Sequence, residues 1–150
     1  MAELKQTKPF AFVEAEAFVA LLKTVDHVRR TTAAVLQPHQ LTEQQYNVLR
    51  ILRGAGKSGL PTLSVAERLI EQTPGITRLI DRLEAKMLVR RERPEQDRRQ
   101  VYCFITENGL ELLDKLDPEM DGMIRRVMKN LDSSQVQELL NFLEKIRDAE

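Results

Sequence analysis

The sequence predicts a mainly α-helical chain with one small β-hairpin. Three observations carry that reading. Apolar residues recur at helical spacing over most of the chain. Two segments, "LTEQQY" and "LDSSQV", share one helix-start pattern. One stretch, residues 88–105, alternates like a strand pair and is divided by an arginine-rich loop. At 150 residues the chain reads as a single domain, residues 1–150, large enough to bury a core unaided.

Taken in order, residues 10–36 form an amphipathic helix, with Phe10, Val13, Ala17, Leu21, Val25 and Val28 on one stripe and Pro38 marking its end. In the next helix Thr42 is the N-cap, Gln45 its capping-box partner, and Leu41 and Tyr46 a hydrophobic staple. "GAGKSG" stops it. A short helix follows Pro61, capped by Thr62 or Ser64, and ends near Ile70. After a tight connection, Thr73 caps a further helix and Pro74 takes its first position, where a missing N–H costs nothing. Ile76, Leu79, Ile80, Leu83 and Met87 make its apolar face, while Thr77, Arg78, Asp81 and Arg82 fall largely on the other.

The hairpin runs from Leu88 to Arg93, turns around Pro94–Asp97 and returns with Val101, Cys103 and Ile105 on one side, Tyr102 and Phe104 on the other. Thr106 caps a helix toward Asn130 that Pro118 should kink or split. Asp132 and Gln135 form the second capping box, with Leu131 and Val136 as staple, ahead of a last helix striped by Val136, Leu139, Leu140, Leu143 and Ile146.

The chain carries 23 basic and 23 acidic side chains, so its net charge is zero. The distribution is uneven. Residues 78–99 hold 8 basic and 5 acidic side chains, and residues 1–60 hold the same numbers. Residues 106–150 hold 6 and 11. One end is therefore basic and the other acidic, and a local surplus is what a nucleic-acid backbone senses. Five arginines lie between Arg90 and Arg99, at the hairpin tip.

Two short helices joined by a tight turn and followed by a two-stranded hairpin make a winged helix-turn-helix. Its second helix suits the DNA major groove, and arginines on the wing suit the adjacent minor groove, where negative potential is focused. Residues 75–113, "GITRLIDRLEAKMLVRRERPEQDRRQVYCFITENGLELL", closely resemble the MarR (multiple antibiotic resistance regulator) family of transcriptional regulators. The combination of Thr-Arg-Leu, Asp-Arg-Leu-Glu, Leu-Val-x-Arg, Asp-Arg-Arg and Ile-Thr-x-x-Gly carries the resemblance.

The resemblance implies a homodimer that binds double-stranded, pseudo-palindromic DNA, acts most often as a repressor, and in many members is released by a small-molecule effector or an oxidant. It implies a DNA-binding lobe over about residues 40–106 and dimerisation helices over about 10–36 and 107–148. It places Thr73, Pro74, Gly75, Thr77 and Arg78 against bases and phosphates, Asp97 as the acid orienting an arginine, and Arg98 and Arg99 in or beside the minor groove. Arg82 on the helix and Arg91 and Arg93 on the wing strand complete the candidate DNA-binding set. One departure stands out: Met87 occupies a position where the family usually has glycine.

Other chemistries find little support. "GAGKS" lacks the first glycine of a phosphate-binding loop, since position 51 is isoleucine, and a helix rather than a strand precedes it. His27 and His39 are the only histidines, and no metal-ligand spacing accompanies them, so neither metal nor cofactor is expected. Cys103 alternates with apolar neighbours as a buried small hydrophobe would. No nucleophile–base pair suggests an enzyme. No run approaches membrane-spanning length, and a cytoplasmic protein without membrane association is the expectation. A winged helix used only for protein contacts is the alternative; it would more naturally show aromatic anchors at this tip than arginines.

Overall fold

Residues 10–71, 75–93 and 100–148 are described by the structure, a computed structural model. Helix α1 spans Val13–Leu36 and starts later than the periodicity predicts. Phe12 precedes it in extended conformation and offers no side-chain acceptor, so nothing carries the helix back to residue 10. A 3-10 turn, Gln37–His39, follows with Pro38 inside it, and Gln40 is left-handed at φ 55°. That turn aims Leu41 back at α1, where its N–H donates to the Leu36 carbonyl at 3.2 Å.

Helix α2, Glu43–Ala55, opens on the predicted capping box. The Gln45 N–H donates to Thr42 Oγ1 at 3.2 Å and the Thr42 N–H to Gln45 Oε1 at 3.1 Å. Gln45 is thereby buried without an unsatisfied amide oxygen, and Leu41 and Tyr46 are buried beside it as the staple requires.

A strand absent from the sequence reading comes next. β1, Leu60–Pro61, pairs antiparallel with β3, Tyr102–Ile105, which pairs in turn with β2, Val89–Glu92. The sheet order is β1-β3-β2, so β1 is an edge, the one place a proline without N–H can serve. Helix α3, Thr62–Glu67, is shorter than predicted, and its N-cap is Pro61 rather than Thr62 or Ser64. The Thr62 hydroxyl is used elsewhere, donating to the Val101 carbonyl at 3.0 Å beside the Thr62 N–H at 2.9 Å. Sheet pairing outcompeted the cap.

Helix α4, Ile76–Ala85, follows, and after the sheet come α5, Glu107–Val127, and α6, Ser133–Arg147. α5 is one helix, neither split at Pro118 nor reaching Asn130. Proline removes one backbone bond. Leu113 and Leu116 before it, and Met120 and Met123 after it, are all buried, so both halves are held against the same core. α6 opens on the second predicted capping box, with the Gln135 N–H donating to Asp132 Oδ1 at 2.9 Å.

The core gathers Leu36, Val48, Leu49, Leu52, Val65, Ile80, Leu83, Val89, Cys103, Leu113 and Leu116, every one of them fully buried. The lobe containing α2, α3, α4 and the sheet is thus fused to the end of α1 and the first half of α5. Beyond that fusion the terminal helices are bare. Among the described residues, Phe12 at the N-cap of α1, Phe18 and Leu22 on α1, and Leu140, Phe142 and Ile146 on α6 are all more than half exposed. α6 has no fully buried side chain among the described residues; Val136, Leu139 and Leu143 are only partly covered. Among the described residues, no helix is long and apolar enough to cross a membrane.

Arg53 ties α2 to α5: it donates to both carboxylate oxygens of Asp117, at 2.7 and 3.1 Å, and lies 3.9 Å from Asp114. The hydrogen bonds from Arg53 hold the Asp117 carboxyl below its ordinary value of 3.8. A depressed native value contributes stability above the ordinary carboxylate range and loses it as the pH falls through the native value. Asp117→Asn should therefore be less stable than the parent at pH 7, and urea denaturation of both at falling pH should show the gap closing below about pH 4.

Candidate nucleic-acid interface

Helix α4 owes its position to its apolar side: Leu79, Ile80 and Leu83 are buried, leaving Thr77, Arg78, Asp81 and Arg82 exposed on the opposite face. Its N-cap is Gly75, left-handed at φ 105°, and the helix begins at Ile76. Gly75 makes the left-handed entry at little cost, where a side chain would be strained. Predicted Thr73 and Pro74 lie outside the described residues, as do Asp97, Arg98 and Arg99.

The far end of α4 explains Met87. It is not part of the helical face, as the periodicity predicts, but sits just past the helix at φ 58°, two-thirds exposed. The Met87 N–H donates to the Glu84 carbonyl at 2.8 Å, and the Leu88 N–H to the Leu83 carbonyl at 3.0 Å. These two bonds are the Schellman pattern, completed by Leu88 and Leu83 buried together in the core. The left-handed residue is obligatory because the chain must reverse there to bring Leu88 inward. Methionine accepts the conformation that glycine would adopt more easily.

Thr106 closes the same joint from the other side. Its hydroxyl donates to the Met87 carbonyl at 2.7 Å and accepts the Gly109 N–H at 3.2 Å, while its own N–H donates to the Leu88 carbonyl at 3.1 Å. The predicted cap of α5 is thus also the clasp between α4 and the wing. Gly109 is required for a steric reason: a Cβ there would lie 2.5 Å from the Leu88 carbonyl oxygen and 2.7 Å from the Ile105 side chain.

Beyond the joint the wing strands carry their arginines on different sides. Arg90 lies over the Phe104 ring, 4.3 Å from its centroid, and pairs with Glu92. Arg91 turns inward and is held by Glu84 and Asp81 of α4. The sequence places Asp81 and Glu84 on the helix surface but does not join either to Arg91; their spacing of three residues was the available signal. Arg93 is exposed, as are Arg78 and Arg82, and none of the three has an ion-pair partner among the described residues. Cys103, opposite Arg91 in the sheet, is fully buried with the Thr62 hydroxyl 3.4 Å away, and burial pushes its thiol up from the ordinary value.

A polar-faced helix with exposed arginines, packed beside a three-stranded wing, defines a winged-helix, DNA-binding transcriptional regulator. The profile of the family described as Transcriptional regulator SarA/Rot matches residues 30–116. A MarR transcription factor from Planctomyces limnophilus is 33% identical, with a TM-score of 0.71 over 93% of this chain and 98% of that one. AbsC, a MarR family regulator from Streptomyces coelicolor, is 28% identical, with a TM-score of 0.81 over 95% and 97%. The homoprotocatechuate degradative operon repressor of Escherichia coli is 27% identical over 126 residues, 84% of each chain. The chain belongs to the MarR family of transcriptional regulators.

The strained joint gives a direct test. Met87→Gly relieves a left-handed side chain and removes little buried surface, so it should raise unfolding stability by about 1 kcal/mol. Urea denaturation of the two proteins measures it, and an unchanged or lower midpoint would show that the joint carries no such strain.

Proposed function

We propose that the protein is a homodimeric repressor that binds a pseudo-palindromic DNA operator through α4 and the wing. The observation that supports this best is the pairing of an exposed polar helix face with apolar terminal helices left uncovered. Gly75, Thr77, Arg78, Arg82 and Arg93 form the described part of the DNA-facing set, joined in sequence by Thr73, Pro74, Asp97, Arg98 and Arg99. Thr77 and Arg78 lie in the first turn of α4, the part of a recognition helix that reads base edges. The arginines of the wing would neutralise phosphates or enter the minor groove.

One such module spans only a few base pairs, and two modules one helical turn apart supply specificity. The faces of α1 and α6 carrying Phe18, Leu22, Leu140 and Phe142 are the surfaces a second copy would cover. Repression is the sign borne by the E. coli relative's name. Control by a small molecule has a place as well. A cleft of about 550 Å³ lies between α1, the turn after it and the start of α2, lined by Arg29, Gln37, Gln40, Gln44 and Glu71 among others. Arg29 pairs with Glu71 there, and Lys86 at the end of α4 donates to the Gln40 carbonyl. An occupant would therefore bear on segments flanking both ends of the recognition helix.

Selection from a randomised duplex pool should recover a pseudo-palindrome bound by two chains. Arg93→Ala should lower its affinity and flatten the salt slope by about one unit, whereas Arg78→Ala should change the preferred sequence. In sedimentation, the parent should run as a dimer and Leu140→Glu/Phe142→Glu as a monomer with weaker operator binding. Random recovery from the pool, or a monomeric parent, would contradict the proposal. Small molecules that bind the free dimer at the cleft should weaken operator binding, measured by titration with Arg29→Ala as control; binding with no change in operator affinity would remove the cleft from the mechanism.

A further inference from the structure

Arginine at position 91 is placed unlike its neighbours. On β2 the side chains alternate, so Val89 and Arg91 share the inward side while Arg90 and Glu92 are exposed. Val89 is buried, and Arg91 stands opposite buried Cys103 with its side chain 30% exposed. A cation in that position must be paired or its desolvation goes uncompensated.

It is paired on every side that the helix offers. Arg91 Nε donates to Glu84 Oε2 at 2.9 Å, Nη2 donates to the same oxygen, and Nη1 lies 2.7 Å from Asp81 Oδ1. The backbone N–H of Arg91 adds a fourth bond, to Glu84 Oε1 at 3.2 Å. Both carboxylate oxygens of Glu84 are therefore engaged by one residue of the wing. The hydrogen bonds from Arg91 hold the Glu84 carboxyl below its usual range, and those from Glu84 and Asp81 hold the guanidinium above its own.

Glu84 and Asp81 belong to α4, one turn apart, on the flank between the DNA-facing and core-facing sides. The planar fork of Arg91 thus spans the recognition helix and the wing strand. It adds a polar fastening to the backbone clasp at Met87 and Thr106, at a second point along the same two elements. Contacts at Nε, Nη1 and Nη2 occupy three of the five donors of the guanidinium and fix its plane toward α4 rather than toward an incoming phosphate.

We propose that Arg91 is a positioning residue for DNA binding: locked to Glu84 and Asp81, it sets the angle between recognition helix and wing and does not contact DNA. The inference rests on the DNA-binding reading above and reassigns Arg91, which the sequence alone places among the DNA-binding residues. Arg93, two positions on and exposed, is the phosphate-facing counterpart.

The two roles predict opposite signs for a change at the partner. If Arg91 positions, Glu84→Gln loosens the lock and operator affinity falls, on the order of tenfold, with the salt slope unchanged. If Arg91 contacts phosphate, Glu84→Gln frees it and removes a negative charge, so affinity rises and the slope steepens. Arg91→Lys is the companion variant. It keeps the charge but not the fork, so a positioning role predicts a comparable loss at constant slope, and a phosphate contact predicts near-parent binding.

Affinities of parent, Glu84→Gln and Arg91→Lys for the selected operator, read at four salt concentrations beside a thermal melt of each, decide the matter. Weaker binding at unchanged slope in both folded variants is the expected result. Parent-like or tighter binding by either folded variant overturns the inference alone, because the parent still binds. A parent that binds no duplex overturns the DNA-binding reading and this inference with it.

Discussion

The joint between the recognition helix and the wing is the constraint on which the rest of the molecule depends. On the proposed reading, a helix whose polar face reads DNA is useful only if its direction is fixed relative to the wing. Here the reversal takes three residues, Lys86, Met87 and Leu88. Leu88 is pulled into the core against Leu83, which forces Met87 to the left-handed region. Thr106 then binds both carbonyls that the reversal exposes, those of Met87 and Leu88. Because Thr106 is also the cap of α5, the same contact sets where that helix departs. Direction of reading head, angle of wing and origin of the long C-terminal helix share one cluster of hydrogen bonds.

Around this joint the molecule divides its side chains by task. The apolar residues of α2, α4, the sheet and the first half of α5 face one another and close a core. Arg53 with Asp117 and Arg91 with Glu84 are charged contacts between elements rather than surface decoration, because each holds a bidentate or multiple geometry. Arg78, Arg82 and Arg93 are left exposed. A neutral chain can therefore present a basic reading surface. Two acids of α4, Asp81 and Glu84, are spent on Arg91, and 11 of the 23 acids lie in residues 106–150, remote from α4 in sequence.

The uncovered helices fit the same division. α6 folds as a helix with a complete capping box, yet among the described residues none of its side chains is fully buried. A helix whose apolar stripe is only partly covered is marginal by itself, since helical stability in proteins comes mainly from packing of that stripe. Its capping box starts it; a second copy of the chain is the surface that would hold it. Dimerisation and DNA spacing are in this view one requirement seen from two ends of the molecule.

Much of this was legible in the sequence, and the parts that were share a physical character. The capping boxes at Thr42–Gln45 and Asp132–Gln135, the cap at Thr106 and the order helix–turn–helix–hairpin rest on contacts within a few residues, so spacing alone reveals them. The third strand did not, because Leu60–Pro61 becomes a strand only when β3 lies beside it. Nor did the start of α4 at Gly75, the continuity of α5 through Pro118, or the partners of Arg91. Each is decided by what another part of the chain places alongside: a sheet edge, a core that grips both halves of a helix, two carboxylates on a neighbouring element. Local chemistry thus determined which elements form and which charges the wing carries. Only the tertiary structure decided which of those charges face outward and which are consumed in holding the reading head in place, because that choice depends on distances between residues the sequence does not bring together.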